Sequence, residues 1–271
     1  MVGSSDNWNS AVAEAIMAIG TPPFAEKLVA ALRGVATFDY SVMFAYSGDA
    51  RPIDLHDDFP AGKRRVFVTA YQEGPYLLDP FFLACSRDVD DGLYRIKDLA
   101  PDRFYQGEYF RSYYVQTGLS EEIGYFIQLP GGVVAVISLM RADHSPQFSA
   151  REFRKLSACE PVVRALALRQ WQDLHRRYSD DAVEDGQSSI QRHIEYAFHT
   201  FGKSVLTIRE REVVEFVLKG YSSDAIGKIL EIAPGTVRIH RKNIYAKLGI
   251  NSQGALFSQF IEALSAEANS G

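Results

Sequence analysis

The chain has 271 residues and a formal net charge of −5, a length that suits two domains better than one. Its composition, 46% hydrophobic and 23% charged, is typical of a folded globular protein and excludes a largely disordered chain. No apolar run reaches eighteen residues and the first residues lack a basic signal-peptide region, so we predict a cytoplasmic protein with no membrane partner.

The first predicted elements are two helices and a strand. Apolar periodicity predicts helices over residues 10–19 and 22–33, the second with Thr21 as its N-cap. Residues 35–47 are rich in β-branched and aromatic side chains and predict a strand. Residues 122–141, "EIGYFIQLPGGVVAVISLMR", predict a hairpin that turns at the Pro-Gly-Gly triplet.

A long helix and a linker follow the hairpin. Ser149 and Glu152 form a capping box, which predicts a helix running toward residue 178 that Pro161 kinks or splits. Helices on both sides of a strand meander predict an α/β sandwich, a GAF/PAS-like antiparallel sheet flanked by helices, over residues 1–178. The polar, acidic stretch at residues 179–203 predicts a linker.

Residues 204–271 predict a small all-α domain of four helices. Thr207 and Glu210 form a second capping box ahead of the first helix, which Gly220 ends. Ser222 caps the second helix, the third spans residues 234–248, and the fourth spans residues 252–264. Two short helices in tight succession, the second with a basic outer face, are typical of a helix-turn-helix.

Charge is distributed unevenly between these parts. Residues 205–271 carry 8 basic and 7 acidic side chains, whereas the rest of the chain carries 21 and 27. Residues 233–249 contain four basic and no acidic side chains. Because an acidic surface repels phosphates, we expect any nucleic-acid contact to lie in the C-terminal domain.

The C-terminal segment resembles the LuxR-type DNA-binding domain of bacterial transcription regulators. The resemblance rests on "LTIRE" at 206–210, Gly220, Ile226, "TVRIH" at 236–240 and "IYAKL" at 244–248. Two departures accompany it. Asp224 adds a negative charge to the second helix, and Ala233 stands where the third helix usually has a serine cap.

The resemblance implies a double-stranded DNA operator as a partner, read by the third helix in the major groove. It implies base contacts from Arg238, Ile239 and Lys242. It also implies phosphate or backbone contacts from Thr236, Arg241, Lys247, Ser222 and Ser223. The alternative for these charges is an ordinary solvated helix face.

The N-terminal segment "RVFVTAYQEGPYLLDPFF" resembles part of the acyl-homoserine-lactone receptor motif of the same family. Phe67 replaces the tryptophan whose indole donates to the lactone in that family, and phenylalanine has no donor. The resemblance therefore implies a small-molecule effector other than a standard acyl-homoserine lactone. The candidate ligand-binding residues are Phe67, Tyr71, Tyr76, Asp79, Phe82, Tyr105 and Tyr109.

Two of these assignments stay open at the level of sequence. Asp79 either contacts the effector or caps the following helix. Tyr105, Tyr109 and Tyr113 share one helix face by their spacing, which suits either core packing or a pocket wall.

We therefore predict a DNA-binding transcription regulator, homodimeric, whose N-terminal domain senses a small molecule. The alternative keeps DNA binding but makes the N-terminal domain a ligand-free dimerisation or protein-interaction module. The chain contains no catalytic motif of the hydrolase, zinc-protease or phosphate-loop type, and Cys85 and Cys159 are isolated, so we predict neither an enzyme nor a cofactor or metal site.

Overall fold

A computed structural model of the chain describes residues 3–48, 50–73, 75–87, 89–104, 110, 118–181 and 200–268. The N-terminal part is built on an antiparallel sheet of five strands in the order β2-β1-β5-β4-β3. The strands are β1 Tyr40–Ser47, β2 Ile53–Asp57, β3 Gly92–Arg95, β4 Leu119–Leu129 and β5 Val133–Ala142. Every residue of the central strand β5 is buried, which shows that both faces of the sheet are covered.

Two sets of helices cover the sheet. One face packs against α1 Gly3–Met17, α2 Phe24–Arg33, α6 Ala150–Gln170 and α7 Leu174–Asp181. The other packs against α3 Ala61–Arg64, π and 3₁₀ turns over residues 65–73 and 75–78, α4 Pro80–Cys85 and α5 Ile96–Leu99. The predicted α/β sandwich is thus confirmed.

The predicted hairpin between β4 and β5 is also confirmed. Gly131 and Gly132 have φ of 79° and 74°, the left-handed region that glycine enters without strain. The turn sets a register in which Gly124 faces Ser138 and Glu122 faces Met140 across the two strands. This register decides which polar side chains share one face of the sheet.

Three local predictions for this domain were wrong. Pro23, not Thr21, precedes α2, and the Thr21 hydroxyl instead donates to the Ala18 carbonyl oxygen at 2.6 Å. The strand begins at residue 40 rather than 35. The long helix is not split at Pro161 but breaks at Trp171, because burial of its apolar face against the sheet outweighs one lost backbone hydrogen bond.

The C-terminal part consists of α8 Ile208–Leu218, α9 Ser223–Ile229, α10 Pro234–Leu248 and α11 Gln253–Ala268. The four helices and both capping boxes agree with the sequence prediction. Their apolar faces meet in a core that includes Val213, Val217, Ile226, Val237, Ile244, Leu256 and Phe260. Within the part of the chain described, no helix is both long and apolar enough to cross a membrane.

Candidate nucleic-acid interface and buried cavity

Helix α10 presents a basic face to solvent. Val237 and Ile244 anchor the helix in the core, and positions 238, 239 and 242 point outward. Arg238 and Lys242 are exposed, and Ile239 is 61% exposed despite its apolar side chain. An exposed isoleucine between two basic side chains suits a major groove, where it can contact a thymine methyl group while arginine pairs with guanine.

The predicted phosphate-binding residues fall into two groups. Thr236 is exposed at the start of α10. Arg241 instead donates to the Tyr245 hydroxyl and to Gln253, both at 3.2 Å. Lys247 lies 2.6 Å from the buried Glu210 carboxylate. These two side chains therefore hold the domain together, and their contact with phosphates stays a prediction.

Asp224 on α9 lies beside the basic face of α10. Its carboxylate is 3.6 Å from the Arg238 guanidinium, and both side chains are 66% exposed. An exposed ion pair of this length contributes at most about 1 kcal/mol. Separating these two side chains therefore costs little.

The turn between α9 and α10 depends on a glycine that sequence analysis overlooked. A Cβ atom at Gly227 would lie 2.7 Å from the Ile232 carbonyl oxygen, closer than real Cβ contacts. The backbone of the turn thus packs directly on α9. A small residue at this point in a helix-turn-helix was the available signal.

A buried cavity lies between the sheet and the turns that precede α4. Of the predicted ligand-binding residues, Phe67, Tyr71 and Asp79 line it. Tyr76 and Phe82 are buried but do not line the cavity, and their two rings pack against each other with centroids 5.0 Å apart. Tyr105 and Tyr109 lie outside the described residues. The cavity measures about 30 Å³, room for about two water molecules.

A chain of hydrogen bonds crosses one wall of this cavity. The Tyr71 hydroxyl donates to Asp79 Oδ2 at 2.8 Å and lies 2.9 Å from the Tyr46 hydroxyl. Asp79 Oδ1 accepts from the Phe81 backbone N–H and caps α4, so the capping interpretation is confirmed. Burial, and then the charge of Asp79, raise the pKa of the Tyr46 phenol.

Two polar residues in the cavity wall were not among the residues predicted from the sequence. Glu122 on β4 and Ser138 on β5 are both only 4% exposed, and both line the cavity. Ser138 stands as a single polar residue in an apolar run of β5, whereas Glu122 follows Ser120 and Glu121 and has no distinct signal. Placing them together required the register of the hairpin.

The two halves of the chain touch at the start of α9. The Ser222 backbone N–H donates to Asp102 Oδ1 at 2.9 Å, and the Arg103 N–H donates to the Gly220 carbonyl oxygen at 3.2 Å. Arg87, just beyond α4, donates to the Tyr221 hydroxyl at 2.8 Å. Ser222 itself is buried and caps α9 through its hydroxyl, while Ser223 is half-buried.

The four-helix domain, its tight helix-turn-helix and the basic exposed face of α10 define a DNA-binding domain of the transcription-regulator class. Residues 204–258 match the family described as "Bacterial regulatory proteins, luxR family". A "Putative HTH-type transcriptional regulator in exeN 3'region" of Aeromonas salmonicida is 31% identical over 186 residues, covering 69% of this chain and 94% of the relative. The chain belongs to the luxR family of regulators.

Two further similarities bear on the rest of the molecule. The "Monoamine regulon transcriptional regulator" of Klebsiella aerogenes is 27% identical over 151 residues, covering 56% of this chain and 54% of the relative. The crystal structure of the VqsR LBD domain from Pseudomonas aeruginosa superposes with a TM-score of 0.53 and 23% identity, covering 60% of this chain and 95% of that one. At this identity the second similarity shows a shared fold.

Proposed function

We propose that the protein is an operator-binding transcription regulator whose N-terminal domain binds a small-molecule effector in the buried cavity and thereby controls the helix-turn-helix. The observation that carries the proposal is one chain with two sites, an exposed basic face on α10 and a cavity with a buried aspartate in its wall. A regulator of this kind acts on DNA in the cytoplasm, as a homodimer that matches two operator half-sites.

The effector is not a standard acyl-homoserine lactone in this proposal. Phe67 lines the cavity at the position of the family's lactone-binding tryptophan and offers no donor. The ring of Phe67 stacks on Phe59 with centroids 4.9 Å apart, which closes that side of the cavity. A long acyl chain would have to displace these rings.

Helix α4 provides a physical connection between the two sites. Its N-cap, Asp79, borders the cavity, and Arg87 beyond its other end reaches Tyr221 of the C-terminal domain. The helix is only six residues long, so a change in the direction of Asp79 displaces both ends together. Effector binding at Asp79 can in this way alter the contact at Tyr221.

The contact between the domains also opposes DNA binding in this proposal. Ser222 is a predicted backbone-binding position, and its N–H is already bonded to the Asp102 carboxylate. A phosphate would have to displace that carboxylate. We therefore infer that the form in which the two domains are in contact binds DNA more weakly, and that separation of the domains strengthens DNA binding.

The experiment that tests DNA reading is selection from a random duplex library with the full chain. We expect a defined consensus, bound at least about 10³-fold more tightly than random DNA at physiological salt. The logarithm of affinity should fall with the logarithm of salt concentration. Recovery of no consensus, with equal affinity for every duplex, would contradict the proposal.

A second candidate function is a regulator with a ligand-free N-terminal module. The cavity is small and bordered by packed rings, such as Phe44 and Tyr71 with centroids 5.0 Å apart, which favours a filled core. Thermal unfolding against a metabolite panel separates the two candidates. A true effector at about 100 times its Kd stabilises the fold by about 2.7 kcal/mol, whereas a ligand-free module responds to no compound.

A further inference from the structure

We infer that a second ligand, a small ionised carboxylic acid with an apolar body, binds in a cleft between the two domains and holds them in contact. This interdomain cleft lies between α4, the end of α5 and the start of α9, and its lining residues are Pro80, Leu83, Ala84, Arg87, Val89, Leu99, Pro101 and Tyr221. It shares none of these residues with the buried cavity. The inference adds a second ligand site to the proposed function, and its effect on DNA binding rests on that function.

The interdomain cleft is large enough for a small organic molecule. It measures about 230 Å³, against about 30 Å³ for the buried cavity. A cavity of about 150 Å³ with apolar walls is sufficient to bind benzene. Apart from Arg87 and Tyr221, the described residues that line the cleft are apolar. These walls fit a single ring or a short alkyl chain, which binding removes from water.

Arg87 and Tyr221 form the polar end of the cleft. The Arg87 guanidinium donates to the Tyr221 hydroxyl at 2.8 Å, a bond that uses one of the five N–H donors of an arginine. Among the described residues, no acceptor is found for the proton of the Tyr221 hydroxyl. The two side chains therefore present several N–H donors and one O–H donor side by side.

This set of donors favours a carboxylate. Arg87 is the one charged side chain among the described residues that line the cleft. An ionised carboxyl group has acceptors only, and its two oxygens match the fork of a guanidinium. One oxygen can also accept from the Tyr221 hydroxyl. An ammonium group brings donors only, so it would leave both side chains unpaired and place a positive charge beside Arg87.

The ligand does not have to displace a carboxylate of the protein. Asp102, near the cleft, accepts from the Ser222 backbone N–H. Asp91 pairs with Arg164 on α6. No carboxylate in the described part of the chain forms an ion pair with Arg87. The guanidinium is therefore available to an anion from outside the protein.

The position of the two donors gives the ligand its effect on DNA binding. Arg87 belongs to the N-terminal domain, and Tyr221 belongs to the C-terminal domain, one residue before Ser222. A ligand bonded to both side chains binds more tightly when the domains are in contact, so it stabilises that form. Because domain contact weakens DNA binding in the proposed function, the acid lowers DNA affinity. DNA must then lower the affinity for the acid by the same factor.

The binding test uses the full chain without DNA and three ionised acids, each paired with its neutral amide: benzoate with benzamide, phenylacetate with phenylacetamide, and hexanoate with hexanamide. Isothermal titration calorimetry at pH 7 measures each affinity. We expect at least one acid to bind with 1:1 stoichiometry and its amide to bind at least about tenfold more weakly. Benzylamine, a cation of similar size, should not bind.

Variants locate the binding site of that acid. We expect R87Q to weaken its binding at least about tenfold and Y221F about threefold. Y221F keeps the ring that packs on Phe216 with centroids 5.5 Å apart. R154Q is the matched control, because Arg154 is an exposed arginine on α6 at the other face of the sheet, and it should leave binding unchanged. Circular dichroism confirms that each variant is folded; if R87Q does not fold, the Y221F titration and the acid–amide comparison decide the question.

Fluorescence anisotropy with the selected operator measures the effect on DNA. A saturating concentration of the acid should raise the Kd for the operator at least about fivefold, and saturating operator should weaken acid binding by the same factor. The matched amide at the same concentration should leave the Kd for the operator unchanged. In R87Q the acid should no longer alter it.

The outcomes separate the inference from the proposed function. No 1:1 binding by any acid, or binding of an amide as tight as that of its acid, overturns the inference and leaves the proposed function standing. Acid binding that neither R87Q nor Y221F weakens also overturns it, since the site then lies elsewhere. Acid binding that R87Q abolishes, but that leaves operator affinity unchanged or raises it, overturns the claim that the acid holds the domains in contact. A chain that selects no operator contradicts the proposed function, whereas the calorimetry alone still decides whether the cleft binds an acid.

Discussion

The contact between Asp102 and Ser222 predicts that Asp102→Ala raises DNA affinity in the absence of effector. The variant removes a hydrogen bond from the Ser222 N–H to a carboxylate, 2.9 Å long. Hydrogen bonds to charged groups contribute about 1.5–3 kcal/mol, and we take about 1–2 kcal/mol because Asp102 is exposed. The variant should therefore reduce the equilibrium constant for contact between the two domains by about 5- to 30-fold.

Fluorescence anisotropy with a labelled operator duplex measures this effect. We expect the Kd of Asp102→Ala to fall by up to that factor, and adding Arg87→Ala, which removes the bond to Tyr221, to lower it further. Asp98→Ala is the matched control, because it removes the same charge from the adjacent helix α5, where Asp98 is exposed. An affinity for Asp102→Ala equal to or weaker than that of Asp98→Ala would refute the competition between domain docking and DNA.

Three further predictions concern the C-terminal domain. Asp224→Asn should tighten DNA binding by up to about fivefold in anisotropy titrations, because it frees Arg238 and removes a charge near the phosphates; unchanged affinity at low salt would contradict this. Lys247→Met should destabilise the fold by about 1–2 kcal/mol in urea unfolding, because it leaves the buried Glu210 carboxylate without its cation. Although burial acts to raise it, bonds from Lys247 and the capping box hold the pKa of the Glu210 carboxyl below its usual value, so the stability that this pair contributes is present above that usual value and is lost as pH falls through the lowered pKa. The variant should lose less over the same window, and equal losses would show that the pair is not coupled. Gly227→Ala should destabilise the fold by about 1–3 kcal/mol and weaken DNA binding, since its methyl group would meet the turn backbone; wild-type Tm and affinity would contradict the packing argument.

The elements that local sequence determines were predictable. Both capping boxes and the Pro-Gly-Gly hairpin are set by residues within a few positions of one another, and the same holds for the helix-turn-helix. Even the unusual start of α10, with Ala233 as an N-cap that makes no side-chain bond and Pro234 in the first turn, follows from the sequence.

Features set by long-range packing were not predictable. Strands β2 and β3 are edge strands of only five and four residues, too short for local periodicity to separate them from loops. Thr21 bonds backward to Ala18 rather than forward into α2, and either direction suits its hydroxyl. The contact of Asp102 with Ser222 joins residues 120 positions apart and depends on how the domains meet.

The cavity shows the same division. Tyr71 and Asp79 could be selected because they belong to one short motif, and their side chains do meet. Glu122 and Ser138 complete the wall from the sheet, and only the paired register of β4 and β5 places them on the cavity side.

The most direct test of the central claim is the DNA affinity of the Arg238→Ala, Lys242→Ala double variant. We expect a loss of about 1–3 kcal/mol for each base contact, about 30- to 10⁴-fold in total, on the selected operator. On random duplex the loss should be much smaller. A double variant that keeps the affinity and the sequence preference of the wild type would contradict the assignment of α10 as the helix that reads DNA.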